Sequence, residues 1–309
     1  IKDIYIGQKR EDIDKLHQKL PIDWYVYSSA VAKENPDAPE LQFVREQGIK
    51  MSKRDELLNL ILREKNLKLI AVAGTHGKTT TTAMVVWLFK QLGLPISYSV
   101  GAKISFGDMG AYDKKSEYFV YEADEFDRNF LAFEPFISVI TGVSWDHHEI
   151  FPTREDYQQA FIEFIRGSKW TIIWQEDYDY LGLADDSSCT VQDSGNKQIQ
   201  KIKLDGHYNR LDGWLAIQAV HEVTNTPVDK LIAFMGKFPG SQRRMEEIVP
   251  GLYSDYAHTP EKIRGAMSAA LEKAQDGQGR KSLRSDKKKA STATEPYKKY
   301  GEDEAEVLT

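Results

Sequence analysis

The chain has 309 residues, a formal net charge of −6 and a pI near 5.7. That length predicts about two domains, each with its own core, and the acidic balance excludes a bulk basic surface for nucleic acid. No stretch is apolar over the length that a membrane-spanning helix needs. Cys189 is the only cysteine, which excludes an intrachain disulfide and a thiolate zinc cluster. We therefore expect a soluble, cytoplasmic protein with no secretory leader and a natural N-terminus upstream of Ile1.

The first part of the chain, residues 1–66, alternates short apolar runs with amphipathic segments. The runs at 4–7 and 24–27 predict strands, whereas 11–20 and 41–47 predict helices. This alternation is typical of an α/β domain.

The most informative stretch is an apolar run that breaks at a glycine loop and restarts as a helix. Residues 67–73 suit a buried strand and residues 83–89 continue a helix. The loop between them reads G-x-x-G-K-T, a shorter variant of the P-loop, because Val72 stands where the strict pattern has its first glycine. We interpret this corner as a phosphate cradle; an ordinary strand-turn-helix corner is the alternative.

The residue types of this loop suit an anion. Gly74 and Gly77 can adopt positive φ and turn backbone N–H groups toward a phosphate, and the helix N-terminus adds partial positive charge. Lys78, which we expect to face solvent, adds a full charge, and Thr79 can offer its hydroxyl to Mg²⁺. The loop therefore predicts a nucleotide site.

An acidic cluster follows the next apolar strand, residues 118–121. Its four carboxylates are Glu122, Asp124, Glu125 and Asp127. Because ligands of open parallel sheets lie beyond the carboxyl ends of strands, we expect Glu122 beside Lys78 and Thr79. Mg²⁺ prefers oxygen ligands and usually takes only one or two protein carboxylates, so not all four can bind it. A solvated acidic loop is the alternative.

A third apolar strand, residues 136–140, also ends in polar side chains. These are Asp146, His147, His148 and Glu149. Three successive strands would thus bring a Lys-Thr pair and two acidic clusters to one sheet edge, which favours a site over three unrelated loops. Beyond them, Thr153 predicts the N-cap of a helix over residues 154–165.

The next segments carry less chemistry. Residues 169–174 predict a strand, 175–177 a polar turn without a functional role, and 185–200 a polar surface loop or hairpin. A helix follows, and Asn209 and Asp212 lie on one face of it. Asn209 can read a purine edge or cap the helix, and spacing alone leaves both open.

The C-terminal part begins with a predicted hinge at residues 238–245, which contains Arg243 and Arg244. An arginine there can reach a transferring phosphate as a bidentate donor or simply face solvent. A strand, the run 255–260 and a helix follow. The polar residues 276–309 contain no apolar strand, so we expect them to be poorly ordered or to be an incomplete piece of a domain.

Four motifs in order resemble the Mur ligases: residues 74–82, 122–125, 146–147 and 255–260. The resemblance extends from about residue 4 to about residue 274, and it implies an enzyme with three domains. The fold expected is α/β, with a central P-loop ATPase domain on a parallel sheet flanked by partial Rossmann-like N- and C-terminal domains. The boundaries expected are 1–66 for the UDP-substrate domain, 67–240 for the ATP-binding domain and 241–309 for the partial C-terminal domain with its polar tail.

The resemblance also implies roles for individual residues. Nucleotide binding falls to Gly74, Thr75, His76, Gly77, Lys78, Thr79, Thr80, Asn209 (adenine), Arg244 (phosphates) and Asp255 (ribose). Magnesium contacts fall to Thr79, Glu122 and His147. The catalytic set is Lys78, Glu122, His147, Arg244 and His258.

The activity implied is that of the branch that joins L-alanine to UDP-N-acetylmuramate in peptidoglycan precursor synthesis, with ATP and Mg²⁺ as cofactors. The sugar-nucleotide carboxylate would attack the γ-phosphate, and the amine would displace phosphate from the resulting acyl phosphate. A recycling ligase that adds a murein peptide and a non-catalytic P-loop nucleotide binder are the alternatives. No nucleic acid, membrane or obligate protein partner is expected.

The sequence also departs from the family pattern. The glycine-rich loop that approaches the uridine diphosphate would precede Ile1, and the family's Asn-x-x-Asn pair appears as Asn209 and Asp212. Tyr208 stands where a histidine is usual, and the resemblance ends after about Ala274.

Overall fold

The computed structural model describes residue 4 and residues 9–183, 187–240, 245–249, 252–257 and 260–275. The helices are α1 Arg10–Lys19, α2 Ser29–Glu34, α3 Pro39–Glu46, α4 Arg54–Glu64, α5 Lys78–Gln91, α6 Arg154–Arg166, α7 Gln175–Tyr180, α8 His207–Thr224, α9 Val228–Met235 and α10 Pro260–Gln275, with 3₁₀ turns at Phe126–Ala132 and Ile199–Lys201. The strands are β1 Trp24–Tyr27, β2 Lys50–Lys53, β3 Lys68–Ala73, β4 Ser97–Ser99, β5 Gly110–Ala111, β6 Tyr118–Glu122, β7 Ile137–Ile140, β8 Thr171–Trp174, β9 Cys189–Gln192, β10 Glu246–Val249 and β11 Leu252–Ser254.

A seven-stranded sheet in the order β5-β4-β6-β3-β7-β8-β9 organises the described chain. All of its pairings are parallel except β4 with β5. Strand β3 lies at the centre, where Val72 pairs with Glu122 and Ala73 with Ile140. The carboxyl ends of β6, β3 and β7 therefore lie side by side, and the α/β class with a parallel sheet is confirmed.

Both faces of β3 are buried, as expected for a parallel strand covered by helices. Ile70 and Val72 pack with α5, α8 and α9 on one face of the sheet. Leu69, Ala71 and Ala73 pack with α6 and the end of α4 on the other. The alternation of side chains along the strand thus divides the core into two layers, and together they fix β3 and the loop that follows it.

The helices begin and end close to their predicted positions. The predicted strand at 67–73 and the helix after the glycine loop appear as β3 and α5, and α5 extends back to Lys78. Thr153 caps α6, because its side chain accepts the backbone N–H of Asp156. The α6 residues Phe161 and Phe164 pack on Phe130. Local patterns therefore located the central elements correctly.

Three secondary-structure elements, α7, β9 and β2, were not predicted correctly from the sequence. Residues 175–177 begin helix α7 rather than a turn. The predicted loop at 185–200 contains β9, which pairs in parallel with β8 and extends the sheet. In the first part of the chain, β2 was not predicted although it pairs in parallel with β1. The predicted strand at 4–7 lies largely outside the described residues.

Two smaller units flank the central one. The N-terminal unit, described residues 9–64, packs Ile13, Phe43 and Val44 into a small core of its own. The C-terminal unit, described residues 245–275, contributes the antiparallel pair β10–β11 and helix α10. In the described residues, no helix combines the length and apolar character needed to cross a membrane.

Glu272 fastens α10 to the start of α8. It accepts two hydrogen bonds from the Arg210 guanidinium, at 2.8 and 3.2 Å, and one from the backbone N–H of Gly206 at 3.0 Å. The hydrogen bonds from Arg210 have the largest effect on the pKa of Glu272, and together with that from Gly206 they hold it below its ordinary value. The contact fixes one wall of the cleft between the central and C-terminal units.

Replacing Glu272 by alanine is expected to loosen α10, because it leaves Arg210 without its bidentate acceptor. We expect a loss of about 1–2 kcal/mol in local stability, measured as faster amide hydrogen exchange in α10. Glu222→Ala, at an exposed carboxylate on α8, is the matched control. Equal exchange rates in α10 of both variants would contradict the assignment.

Candidate functional site

The glycine loop after β3 has a backbone shape that side chains would disrupt. Gly74 has φ 138° and Gly77 has φ 80°. A Cβ at Gly74 would collide with Thr141 Oγ1 and lie 2.9 Å from the carbonyl oxygen of Gly142, and one at Gly77 would lie 2.5 Å from Asp212 Oδ1. Both positions therefore require glycine, and the loop is pressed between the end of β7 and helix α8.

The segment after β7 holds the glycine loop through hydrogen bonds. The backbone N–H of Thr75 donates to the carbonyl oxygen of Gly142 at 2.8 Å. The Thr75 hydroxyl donates to the Ser144 carbonyl at 2.8 Å and accepts the Ser144 N–H at 2.9 Å. Thr141 donates its hydroxyl to the carbonyl oxygen of His76. The loop is therefore preorganised by its neighbour strand.

Lys78 was predicted to face solvent from a loop, and this prediction was wrong. It lies at the start of α5, and only 13% of its side chain is exposed. Its ammonium group donates to Glu125 Oε2 at 2.6 Å and to the Gly74 carbonyl at 2.7 Å, and it lies 3.9 Å from Asp124. Burial alone would lower the pKa of Lys78, but the charges of these carboxylates outweigh it and raise the pKa. The lysine therefore stays charged.

Glu125 is the buried partner of this pair, with none of its side chain exposed. Burial raises its pKa, and Lys78 acts in the opposite direction. On the other side of the carboxyl group, His147 Nε2 lies 3.7 Å from Glu125 Oε1. His147 has φ 52°, a conformation in which histidine is one of the more tolerated residues. The three strand ends thus meet at Glu125.

The Thr79 hydroxyl donates to Glu122 Oε1 at 2.9 Å. A hydroxyl and a carboxylate are hard oxygen donors, so this pair fits Mg²⁺ when phosphate and water supply the remaining ligands. Gly101 leaves room for the carboxyl group, because a Cβ there would lie 2.5 Å from Glu122 Oε2. Among the residues described, no group of three or more His, Cys, Asp and Glu side chains is arranged to hold a metal ion. His147, the third residue predicted to contact magnesium, lies beside Glu125.

A cavity of about 360 Å³ opens beside the glycine loop, between the central and C-terminal units. Its lining includes His76, Gly77, Thr80, Asn209, Asp212 and Asp255. Asn209 donates its amide to the Asp205 carbonyl at 2.7 Å, so it fastens the first turn of α8 and also lines the cavity. Asp255 accepts the backbone N–H groups of Met245 and Ala257, each at 2.8 Å.

Five of the predicted nucleotide residues line this one cavity: His76, Gly77, Thr80, Asn209 and Asp255. The magnesium candidates Thr79 and Glu122 contact each other at the sheet edge. Arg244 and His258, predicted to contact phosphates and to lie near the reacting groups, are outside the described residues. Their roles remain predictions.

Asp177 lines the same cavity but had been given no role from the sequence. Its carboxylate accepts the backbone N–H of Val143 at 2.9 Å, which supports the segment that holds Thr75. Burial raises the pKa of Asp177 to about 6. The available signal was its place after β8, the strand next to β7 at the same sheet edge.

Asp177→Asn is expected to stabilise the chain at neutral pH. Because the folded-state pKa is raised to about 6 from an ordinary 3.8, the carboxyl group favours the folded state below pH 4 and loses that contribution as the pH rises through 6. Asparagine keeps an acceptor for Val143. We expect a gain of about 3 kcal/mol at pH 7.5 that shrinks toward pH 4.5, measured by urea unfolding. Asp179→Asn, exposed in α7, is the control; a gain independent of pH would contradict the assignment.

The chain is similar to known proteins over most of its length. Residues 72–238, more than half of the chain, match the Mur ligase middle domain. A UDP-N-acetylmuramate–L-alanine ligase of Desulforamulus reducens is 30% identical over 301 residues, covering 86% of this chain and 63% of that protein. One from Clostridium tetani is 30% identical over 305 residues, with coverage of 87% and 64%. The chain thus spans less than two thirds of these relatives.

Solved structures show the same fold. The UDP-N-acetylmuramate-alanine ligase of Thermotoga maritima superimposes with a TM-score of 0.68 at 24% identity, covering 81% of this chain and 64% of that one. A murein peptide ligase of Psychrobacter arcticus superimposes with a TM-score of 0.65 at 20% identity, with coverage of 88% and 67%. Because residues 72–238 match its middle domain, the chain belongs to the Mur ligase family.

Proposed function

We propose that this chain acts in an ATP-dependent ligase that joins L-alanine to UDP-N-acetylmuramate and releases ADP and phosphate. The observation that carries the proposal is the order β6-β3-β7, which gathers Lys78, the Thr79–Glu122 pair and His147 at one sheet edge. The family supports the class of reaction, and relatives 30% identical bear the name of this activity.

Phosphoryl transfer to a carboxylate requires neutralisation of charge and little else from the protein. Mg²⁺, held by Thr79 and Glu122 together with phosphate oxygens, would screen the phosphate charge. Lys78 is charged and lies in the cradle, so exchange of its hydrogen bond to Gly74 for one to a phosphate would bring it to the transferred group. The product of this step is an acyl phosphate, which the amine of L-alanine attacks. No protein nucleophile is needed.

The cavity beside the glycine loop is the proposed nucleotide site. Asn209 would face the adenine and Asp255 the ribose, while the backbone of the loop would face the phosphates. Arg244 would pair with the phosphates and His258 would lie near the reacting groups. Asp212, where the family has asparagine, would add an acceptor to the wall of this cavity.

We propose that residues 1–66 contribute part of the UDP-substrate domain, 67–240 form the ATP-binding domain and 241–309 contribute part of the C-terminal domain. The separate core of the N-terminal unit and the cavity between the central and C-terminal units support this division. A cytoplasmic location follows from the proposed use of ATP.

Release of phosphate tests the proposed function directly. The chain is incubated with ATP, Mg²⁺ and UDP-N-acetylmuramate, with each amino acid in turn and with a murein tripeptide. We expect release that depends on both the sugar nucleotide and L-alanine. Phosphate release that depends on neither the sugar nucleotide nor L-alanine would contradict the ligase activity. Release with the tripeptide but not with L-alanine would instead support the recycling ligase.

A further inference from the structure

Asp127 joins the N-terminal unit to the acidic segment after β6. Its carboxylate lies 2.8 Å from Lys33 Nζ and 2.6 Å from Lys53 Nζ. Lys33 belongs to α2 and Lys53 ends β2, so both ammonium groups come from the N-terminal unit. Burial alone would raise the pKa of Asp127, but hydrogen bonds from the two lysines outweigh it and lower the pKa. The carboxylate is therefore a charged bridge between the units.

The backbone at this bridge is unusual. Asp127 and Arg128 both have φ 56°, and two successive non-glycine residues in the left-handed region are unfavourable because each brings its Cβ close to a backbone oxygen. The backbone N–H of Arg128 donates to the carbonyl oxygen of Glu125 at 2.9 Å. The turn that aims Asp127 at the lysines is thus tied to the residue that pairs with Lys78. Strained backbone of this kind is concentrated at functional sites.

Contacts run without a break from the bridge to the phosphate site. Lys33 Nζ lies 4.8 Å from the centre of the Phe126 ring. That ring meets His147 edge to face at 5.2 Å, and His147 approaches Glu125. Glu125 in turn holds Lys78. A shift of the N-terminal unit would therefore act on residues that line the phosphate site.

We propose that Asp127 is a positioning residue that sets the N-terminal unit against the phosphate-transfer site through Lys33 and Lys53. The catalytic consequence rests on the proposed function. When Asp127 contacts Lys33 and Lys53, the carboxyl group of an acceptor held by the N-terminal unit can reach the γ-phosphate, and without these contacts it cannot. The bridge itself rests on geometry and can be tested without turnover.

The kinetic test compares Asp127→Asn with Glu46→Gln. Glu46 pairs with Arg10 inside the N-terminal unit, so its variant makes the same chemical change without touching the bridge. We expect Asp127→Asn to raise the KM for the sugar nucleotide about tenfold with little change in the KM for ATP, and Asp127→Glu to recover part of the loss. Equal effects on both KM values, or the same effect from Glu46→Gln, would overturn the proposal.

Amide hydrogen exchange tests the bridge in the substrate-free chain, so it does not depend on the proposed activity. We expect Asp127→Asn to speed exchange in α2, β2 and the turn Phe126–Ala132, with β8 unchanged. Lys53→Met is expected to speed exchange in the same elements but by less, because the Lys33–Asp127 pair remains. The double variant is expected to exchange no faster than Asp127→Asn alone, because that variant already removes the charge that both lysines contact. Unchanged exchange in α2 and β2 would overturn the bridge, whereas absent turnover by the wild type would contradict only the ligase.

Discussion

Replacing Lys78 by methionine is expected to abolish phosphate release and to destabilise the central unit as well. The ammonium group is the cation of the cradle, and loss of such charge stabilisation costs roughly 10³-fold in kcat. It is also the partner of fully buried Glu125. Leaving that carboxylate unpaired costs about 3–5 kcal/mol. Steady-state kinetics and urea unfolding measure the two effects.

The double variant Lys78→Met, Glu125→Gln separates the two effects. Glutamine removes the buried charge, so most of the lost stability is expected to return while activity stays absent. A single Lys78→Met variant with near-normal turnover would refute the cradle. One with unchanged stability would refute the buried ion pair, since the 2.6 Å contact would then contribute nothing.

The Lys78–Glu125 pair shows why the fold was predicted from the sequence more accurately than the burial and contacts of the site residues. The strand, the glycine loop and the helix are coded locally, by an apolar run, two glycines and a Lys-Thr pair, so β3 and α5 were predicted correctly. The contact between Lys78 and Glu125 joins residues 47 positions apart. Only the pairing of β3 with β6 brings them together, and a local pattern carries no sign of how deeply a side chain is buried.

The missed elements have a similar cause. Strand β9 is four residues long and lies at the sheet edge, within a polar stretch whose only cue to a strand is its neighbour β8. Helix α7 is six residues long, and the role of its Asp177 depends on a backbone N–H from the end of β7. Edge strands and single-turn helices are stabilised mainly by tertiary contacts, which propensity does not report.

The predicted meeting of three strand ends at one edge was confirmed, because it followed from a rule of parallel sheets rather than from propensity. Glu122 was predicted beside Lys78 and Thr79, and it does contact Thr79, but the pairing of Lys78 with Glu125 was not predicted. Glu122 bonds Thr79 and Glu125 bonds Lys78, while Asp127 turns away to the N-terminal unit. The left-handed backbone at Asp127 separates these roles, and nothing in the acidic run signals it.

Glu122→Gln is expected to lower kcat about 100-fold and to raise the Mg²⁺ concentration needed for half-maximal activity. The amide oxygen can still accept the hydrogen bond that Thr79 donates, so the fold is expected to remain intact and only the charge toward the metal is lost. A titration of phosphate release against Mg²⁺, at saturating ATP, measures both effects.

Glu117→Gln is the matched control, because Glu117 is an exposed carboxylate that pairs with Lys68 at the other end of β6. Its Mg²⁺ dependence is expected to equal that of the wild type. If Glu122→Gln also kept the wild-type Mg²⁺ dependence while losing turnover, Glu122 would act on the reacting groups and not on the metal. A shift confined to Glu122→Gln would instead assign Mg²⁺ to the sheet edge where the Thr79 hydroxyl and this carboxylate meet, 2.9 Å apart.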